Sequence, residues 1–314
     1  MHICQVISAK IPVAKYGGTE RIVQWLCAEF VSAGHKVTLI SLPGSDLPGV
    51  NCISATTENQ AWQAIPPDAE IVHFHSWQPF DDFDKPWLYT LHGNSTTPKT
   101  LPTQTVCISA DHARRHAKKT FIYNGVNPDE LIYNETKLDH LLFFSKVRRS
   151  VKGANRALKL AKKHQQRIVM AGGNRFDLLK VGGLIDSFRP GVSFKGEIGG
   201  IKKAIQFSQA KALLFPIQWE EPFGLVVIEA LLSGTPVIAT RRGSMPELIN
   251  DRVGYIFDED EEFPEALSHA TSCKSSDCRD WAMNYFSSSV CSQNYLALYE
   301  RVILNKVNWN DADL

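Results

Sequence analysis

A chain of 314 residues with 44% hydrophobic and 21% charged side chains is long enough for two ordinary cores and too long for a single small binding module. Its 34 Lys and Arg against 33 Asp and Glu leave a net charge of +1, which excludes a global attraction to nucleic acid or to an anionic membrane. The balance is uneven: residues 1–140 carry −3, residues 141–200 carry +10 and residues 201–314 carry −6, so an anion is expected at the middle block.

Met1–Ser8 lacks the basic region and long apolar core of a signal peptide and reads as a first buried strand. Further apolar runs bounded by polar, Gly or Pro residues predict strands at 37–42, 71–74, 87–91 and 106–108, then at 141–144, 167–171, 192–194, 212–216 and 236–240. Helices fall between several of them. Thr19–Ala33 has apolar residues at 22, 23, 26, 27, 30 and 31 and ends at Gly34; Asn155–His164 repeats the pattern, and residues 281–306 look like closing helices. The fold class is therefore α/β, with parallel sheets covered by helices on both faces. Tyr123–Glu130 and the polar residues after it form a linker, giving domains at 1–138 and 139–285, with closing helices at 286–314 that are free to pack back on the first domain. Ligands of such folds bind at the carboxyl ends of the strands. No run of about 18 apolar residues offers a membrane span, which leaves peripheral membrane contact open. Seven scattered cysteines without a C-x-x-C pair argue against a disulfide framework or zinc ribbon and for a reducing, cytoplasmic setting.

Gly17-Gly18 opens the first helix, where free amides suit a phosphate, although a tight loop entry explains the pair equally. The second strand ends Ser41-Leu42-Pro43-Gly44 without an acid, which disfavours NAD. No G-x-S-x-G elbow or Walker loop is present. The segment 220–234 is the most informative. Between Leu225 and Leu232 only Glu229 is polar, so a buried carboxylate needs either an Arg partner or ligand hydroxyls. Glu221 precedes that helix, whose opening amides at Gly224 and Leu225 are placed to face an anion. Lys146 and Lys152, just past a predicted strand, are candidates to neutralise phosphate, against the competing reading of a solvated basic face. The basic block lacks the interleaved aromatics of an RNA platform. His73 and His75 alternate on a strand without a third ligand, which favours core or site-lining histidines over a metal pair. His92 follows a strand and precedes Gly93, at the end where a site is expected.

Taken together, Gly17-Gly18-Thr19-Glu20-Arg21, Gly34-His35-Lys36-Val37, Ile71–His75, Thr90-Leu91-His92-Gly93, Tyr123–Asn127, Lys152-Gly153, Ala171-Gly172-Gly173, Glu221-Pro222-Phe223-Gly224, Glu229-Ala230, Gly234-Thr235-Pro236-Val237 and Gly243–Leu248 resemble the retaining glycosyltransferases of family four. The resemblance implies the GT-B fold, two Rossmann-like domains facing across a deep cleft, and transfer of a sugar from a nucleotide-diphosphate sugar, UDP rather than GDP, to an acceptor hydroxyl. It implies that Glu229 holds ribose hydroxyls and Glu221 donor-sugar hydroxyls. Phe223, Gly224 and Leu225 would contact sugar and diphosphate through the backbone, and Gly17-Gly18 the diphosphate. His92 would lie near the transferred sugar and Lys152 at the phosphate. The Arg usual beside it is here Lys146, a point charge in place of a fork. Family members are thought to react on one face with the leaving phosphate assisting the acceptor, so no nucleophile is named, and no metal or other cofactor is expected. The same fold carries epimerases and phosphorylases, and a catalytically silent sugar-nucleotide or glycan binder is the alternative of a different class. The acceptor, expected at loops 9–16, 43–60 and 76–85, is not readable.

Overall fold

The computed structural model describes residues 1–13, 17–78, 83–96 and 101–309, so parts of the expected acceptor loops, residues 14–16 and 79–82, lie outside the described residues. The chain divides into two compact units, Met1–Asn127 with Phe286–Leu314, and Pro128–Tyr285. The first contains β1 (His2–Val6), α1 (Gly18–Ser32), β2 (Lys36–Ser41), β3 (Asn51–Ser54), α2 (Glu58–Gln63), β4 (Ile71–Phe74), β5 (Trp87–Thr90), β6 (Thr105–Val106) and α3 (Ala110–Arg115). The second contains β7 (Leu138–Phe144), α4 (Ala154–Lys163), β8 (Ile168–Ala171), α5 (Leu178–Val181), β9 (Val192–Gly196), α6 (Gly200–Gln209), β10 (Ala210–Phe215), α7 (Leu225–Leu232), β11 (Val237–Thr240), α8 (Met245–Leu248), β12 (Gly254–Phe257), α9 (Phe263–Ser272) and α10 (Ser275–Phe286); α11 (Ser288–Ile303) returns to the first unit.

Each unit is built on a six-stranded parallel sheet, ordered β3-β2-β1-β4-β5-β6 in the first and β12-β11-β10-β7-β8-β9 in the second. In each, the third strand from one edge lies beside the first or fourth in sequence, so the chain reverses its direction of winding at β1/β4 and at β7/β10. Central strands such as β4 and β11 are buried along their whole length, which is why they read as unbroken apolar runs. The predicted strands omit β3 and β12, both at sheet edges: Asn51–Ser54 is exposed at both ends, and Gly254–Phe257 is a run of only four residues that opens on a glycine.

The division between the units falls ahead of the expected 138/139 boundary, at Asn127 and Pro128. The polar stretch after it is not a free linker. Lys137 Nζ donates to Ser208 O, Ser233 O and Thr235 Oγ1, each at 3.0 Å, and Asn134 N donates to Ser233 O, which fastens these residues to the second unit. Of the closing helices, α10 stays with the second unit through Trp281 Nε1 and Arg279, which donate to Leu248 O and Leu232 O. α11 packs on α1, with Tyr299 against Phe30 and Ser288 Oγ donating to Glu29. Among the described residues, no helix is long and apolar enough to cross a membrane, and all seven cysteines are free thiols.

Candidate active site

In the second unit the strand ends converge on the loop after β10. Thr240 Oγ1 donates to Ile217 O at 2.6 Å, Ser244 N to Glu221 O at 3.0 Å and Ser244 Oγ to Phe223 O at 2.6 Å, so the loop after β11 holds residues 217–223 in place. Glu220 accepts from the Gly243 amide at 2.5 Å and lies 3.6 Å from Arg242. Gly243 has φ +56°, and a Cβ there would strike the backbone of Glu221, so only glycine permits this approach. Across from it, Gly153, at φ +79°, ends the short turn carrying Lys152 and begins α4; a Cβ would strike the Pro216 carbonyl.

This close approach delivers Lys152 to Glu221. Lys152 Nζ lies 2.5 Å from Glu221 Oε2, and Trp219 Nε1 donates to the same oxygen at 2.7 Å. The ammonium also sits 4.5 Å from the centre of the Trp219 ring, with Arg149 at 5.4 Å from that ring. Lys152 is only 8% exposed, which sets aside the competing reading of a solvated basic face for this residue, while Lys146 is half-buried and Arg148 and Arg149 are exposed. Burial became possible because a carboxylate, an indole N–H and an aromatic face all serve one ion pair.

Beneath the loop, Glu229 on α7 is 5% exposed and its Oε1 lies 2.5 Å from Lys203 Nζ on α6. Of the two partners left open by the sequence, an arginine or ligand hydroxyls, the structure supplies a protein cation, but a lysine in place of the arginine. Lys203 shares the buried face of α6 with Ala204, Phe207 and Ser208, and this spacing alone singles it out as a cation facing the core. α7 opens at Gly224, φ +95°, with no side chain capping its amides; Phe223 is buried and Leu225 half-buried. Lys146, at the end of β7, lines a cavity of about 370 Å³ with Arg148, Gly172, Gly173, Gly196 and Glu197. The structure therefore joins Lys152, Glu221 and the unpredicted Trp219 in one cluster and places Lys146 in a neighbouring cavity of the same unit.

In the first unit Gly17 and Gly18 start α1, again without a side-chain cap. His92 lies just past β5 and His75 just past β4, and His75 Nδ1 is 2.8 Å from His92 Nε2. His75 Nε2 is 2.7 Å from Gln5 Oε1, and Gln5 Nε2 donates to Tyr299 at 3.2 Å. His73 bridges Tyr299 and Thr90 at 2.7 Å on each side. Burial pushes the His92 imidazole down to about 3 and those of His73 and His75 well below the ordinary histidine range, so all three are neutral. Gln5, Tyr295 and Tyr299 escaped the sequence reading because β1, β4, β5 and α11 are brought together only by the fold. No group of three or more metal-binding side chains occurs among the described residues.

Residues 130–284, about half the chain, match the family model of glycosyl transferases group 1. An uncharacterized glycosyltransferase of Methanocaldococcus jannaschii is 29% identical over 159 residues, 45% of this chain and 40% of that protein. The chain spans only 32% and 40% of the length of the first curated relatives it matches. Among solved structures, a glycosyltransferase of avilamycin A biosynthesis aligns over 96% of this chain and 98% of its own, with TM-score 0.83 and 22% identity. An Anabaena protein solved with UDP-glucose aligns over 96% and 99%, with TM-score 0.71 and 14% identity. These likenesses show that the two Rossmann-like units are those of the GT-B fold. On that fold the chain carries, at residues 130–284, the domain of the group 1 glycosyltransferase family.

Proposed function

We propose that this protein is a retaining glycosyltransferase that moves a hexosyl group from a UDP-sugar, such as UDP-glucose, to an acceptor hydroxyl. The observation that carries the proposal is the pairing of Lys152 with Glu221 and Trp219 at the strand ends of the group 1 domain, in the same unit as the buried Glu229–Lys203 pair. A cation fixed by a carboxylate at the end of a strand is preorganised for a diphosphate. Glu229 Oε2, which bonds to no described residue, accepts from a ribose hydroxyl, while Glu221 accepts from donor-sugar hydroxyls through Oε1. The uncapped amides of α7, with Lys146, share the diphosphate charge.

In the transfer, the bond from the anomeric carbon to the diphosphate breaks and a bond to the acceptor oxygen forms on the same face. The acceptor proton passes to the departing diphosphate, and UDP leaves. Lys152 meets the charge that grows on the leaving group, a task that calls for no metal, and in the first unit His92 recognises a substrate hydroxyl. The protein is a cytoplasmic enzyme in this reading, supported by its free thiols. A mass-spectrometric screen of nucleotide sugars for protein-catalysed UDP release, followed by an acceptor panel, tests it. Consumption of a UDP-hexose is expected, with activity persisting in EDTA. A folded chain that neither binds nor consumes any nucleotide sugar contradicts it.

A further inference from the structure

A single file of hydrogen bonds runs through the interior of the first unit. It passes from Tyr295 to Thr90 (2.8 Å), His73, Tyr299, Gln5 and His75, and ends at His92. Gln5, His73, Thr90, Tyr295 and Tyr299 are fully buried and His75 is 5% exposed, so water does not interrupt it. Gln5 and His73 are paired directly across β1 and β4, where the order of the sheet reverses. Each neutral imidazole has one N–H and one lone pair. From Gln5 through His75 to His92 each link therefore dictates the next, and this part of the file has one direction or its opposite.

The spacings choose between the two. Gln5 to Tyr299 is 3.2 Å, within the range of N–H···O and long for O–H···O, so the Gln5 amide donates there and its Oε1 faces His75. Tyr299 then spends its own proton on His73 Nδ1, and 2.7 Å suits a phenol donating to a ring nitrogen. Gln5 Oε1 is able only to accept, so His75 carries its proton on Nε2, and 2.7 Å fits that bond as well. His75 Nδ1 is left with a lone pair, and His92 must donate to it from Nε2. His92 Nδ1 is consequently bare. It bonds to no described residue and is not among the enclosed, unpartnered polar atoms.

We infer that Gln5 is a positioning residue that locks His92, through His75, in the Nε2–H tautomer, so that His92 offers its substrate a hydrogen-bond acceptor at Nδ1 and recognises a hydroxyl rather than a phosphate or carbonyl oxygen. Burial keeps the imidazoles neutral, which the lock requires. The choice of a sugar or acceptor hydroxyl rests on the proposed transferase reading; the tautomer does not.

The test uses the full chain with ¹⁵N-labelled histidine, without any sugar. Long-range ¹H–¹⁵N correlation should show His92 with protonated Nε2 and unprotonated Nδ1. In Gln5→Met, which keeps the volume and loses the amide, the His92 signals should move to a mixture of both tautomers. In Gln5→Glu, whose carboxylate also accepts from His75, they should remain as in the wild type. A His92 protonated on Nδ1, or an unchanged tautomer in a folded Gln5→Met variant, overturns the inference. If Gln5→Met fails to fold, the wild-type and Gln5→Glu spectra still decide. With a UDP-sugar donor, Gln5→Met should lower kcat about tenfold or more with KM for the donor unchanged, and Gln5→Glu should restore it. The predicted tautomers in a protein that consumes no nucleotide sugar would sink the transferase reading and leave the lock standing.

Discussion

Lys203 and Glu229 show how a buried ion pair constrains a single residue. Both side chains are under a tenth exposed, so removing either charge strands the other in a low-dielectric interior. Lys203→Met should therefore destabilise the protein by about 3–5 kcal/mol in denaturant unfolding, and the double variant Lys203→Met/Glu229→Gln should recover most of the loss. Additive losses would show that the two groups are not coupled. Lys152 belongs to a different class of residue, since its partner Glu221 faces the site. Lys152→Ala should lower turnover by about 100-fold or more, well beyond what its loss of stability explains at a temperature where the variant is folded. Turnover that falls only in proportion to the folded fraction would make Lys152 purely structural. Glu229 and Glu221 were readable in the sequence because a carboxylate in an apolar helix, or before one, has few explanations. Trp219 was not, because an indole beside an acid looks the same in any loop until its N–H is seen bonded to Glu221.

The interiors of the elements were more readable than their edges. Strands β2, β4, β5 and β11 and the second half of β7 are buried almost throughout, and continuous burial writes itself as a continuous apolar run. β3 ends in exposed residues at both sides, so Asn51–Ser54 reads as loop. The loops that make the site are fixed by backbone hydrogen bonds and positive φ angles, which leave only glycines as a trace. Gly243 is the case that decides most. Gly243→Ala should push residues 220–223 away from the β11 loop, costing about 1–3 kcal/mol and weakening UDP binding at least tenfold by titration calorimetry. Unchanged binding would mean that the position of Glu221 is not set from the β11 side.

Across the whole molecule, neutral histidines are concentrated in the first unit. Burial lowers His73, His75 and His92, and above all burial also lowers His112, which falls to about 4. In the unfolded chain these groups titrate near 6.5, so below that pH the unfolded state binds more protons than the folded one. Their stabilising effect is complete above about pH 6.5 and is lost progressively as the pH falls towards the folded values, at about 2 kcal/mol per neutral histidine by pH 5. Calorimetry should find unfolding at a clearly lower temperature at pH 5 than at pH 7.5, and His112→Gln should narrow the gap. Equal melting temperatures would show that the file of buried imidazoles is already protonated or open to water.

In the proposed function, the group 1 domain of this chain holds a nucleotide diphosphate through its buried carboxylate and fixed cations. Titration calorimetry of the intact protein with UDP tests it most directly, using Lys203→Met/Glu229→Gln as a variant that removes the carboxylate without stranding a charge. Saturable binding at one site is expected, weakened at least tenfold in the double variant while its cooperative unfolding is retained. No binding by the wild type, or equal affinity in the two proteins, would contradict it.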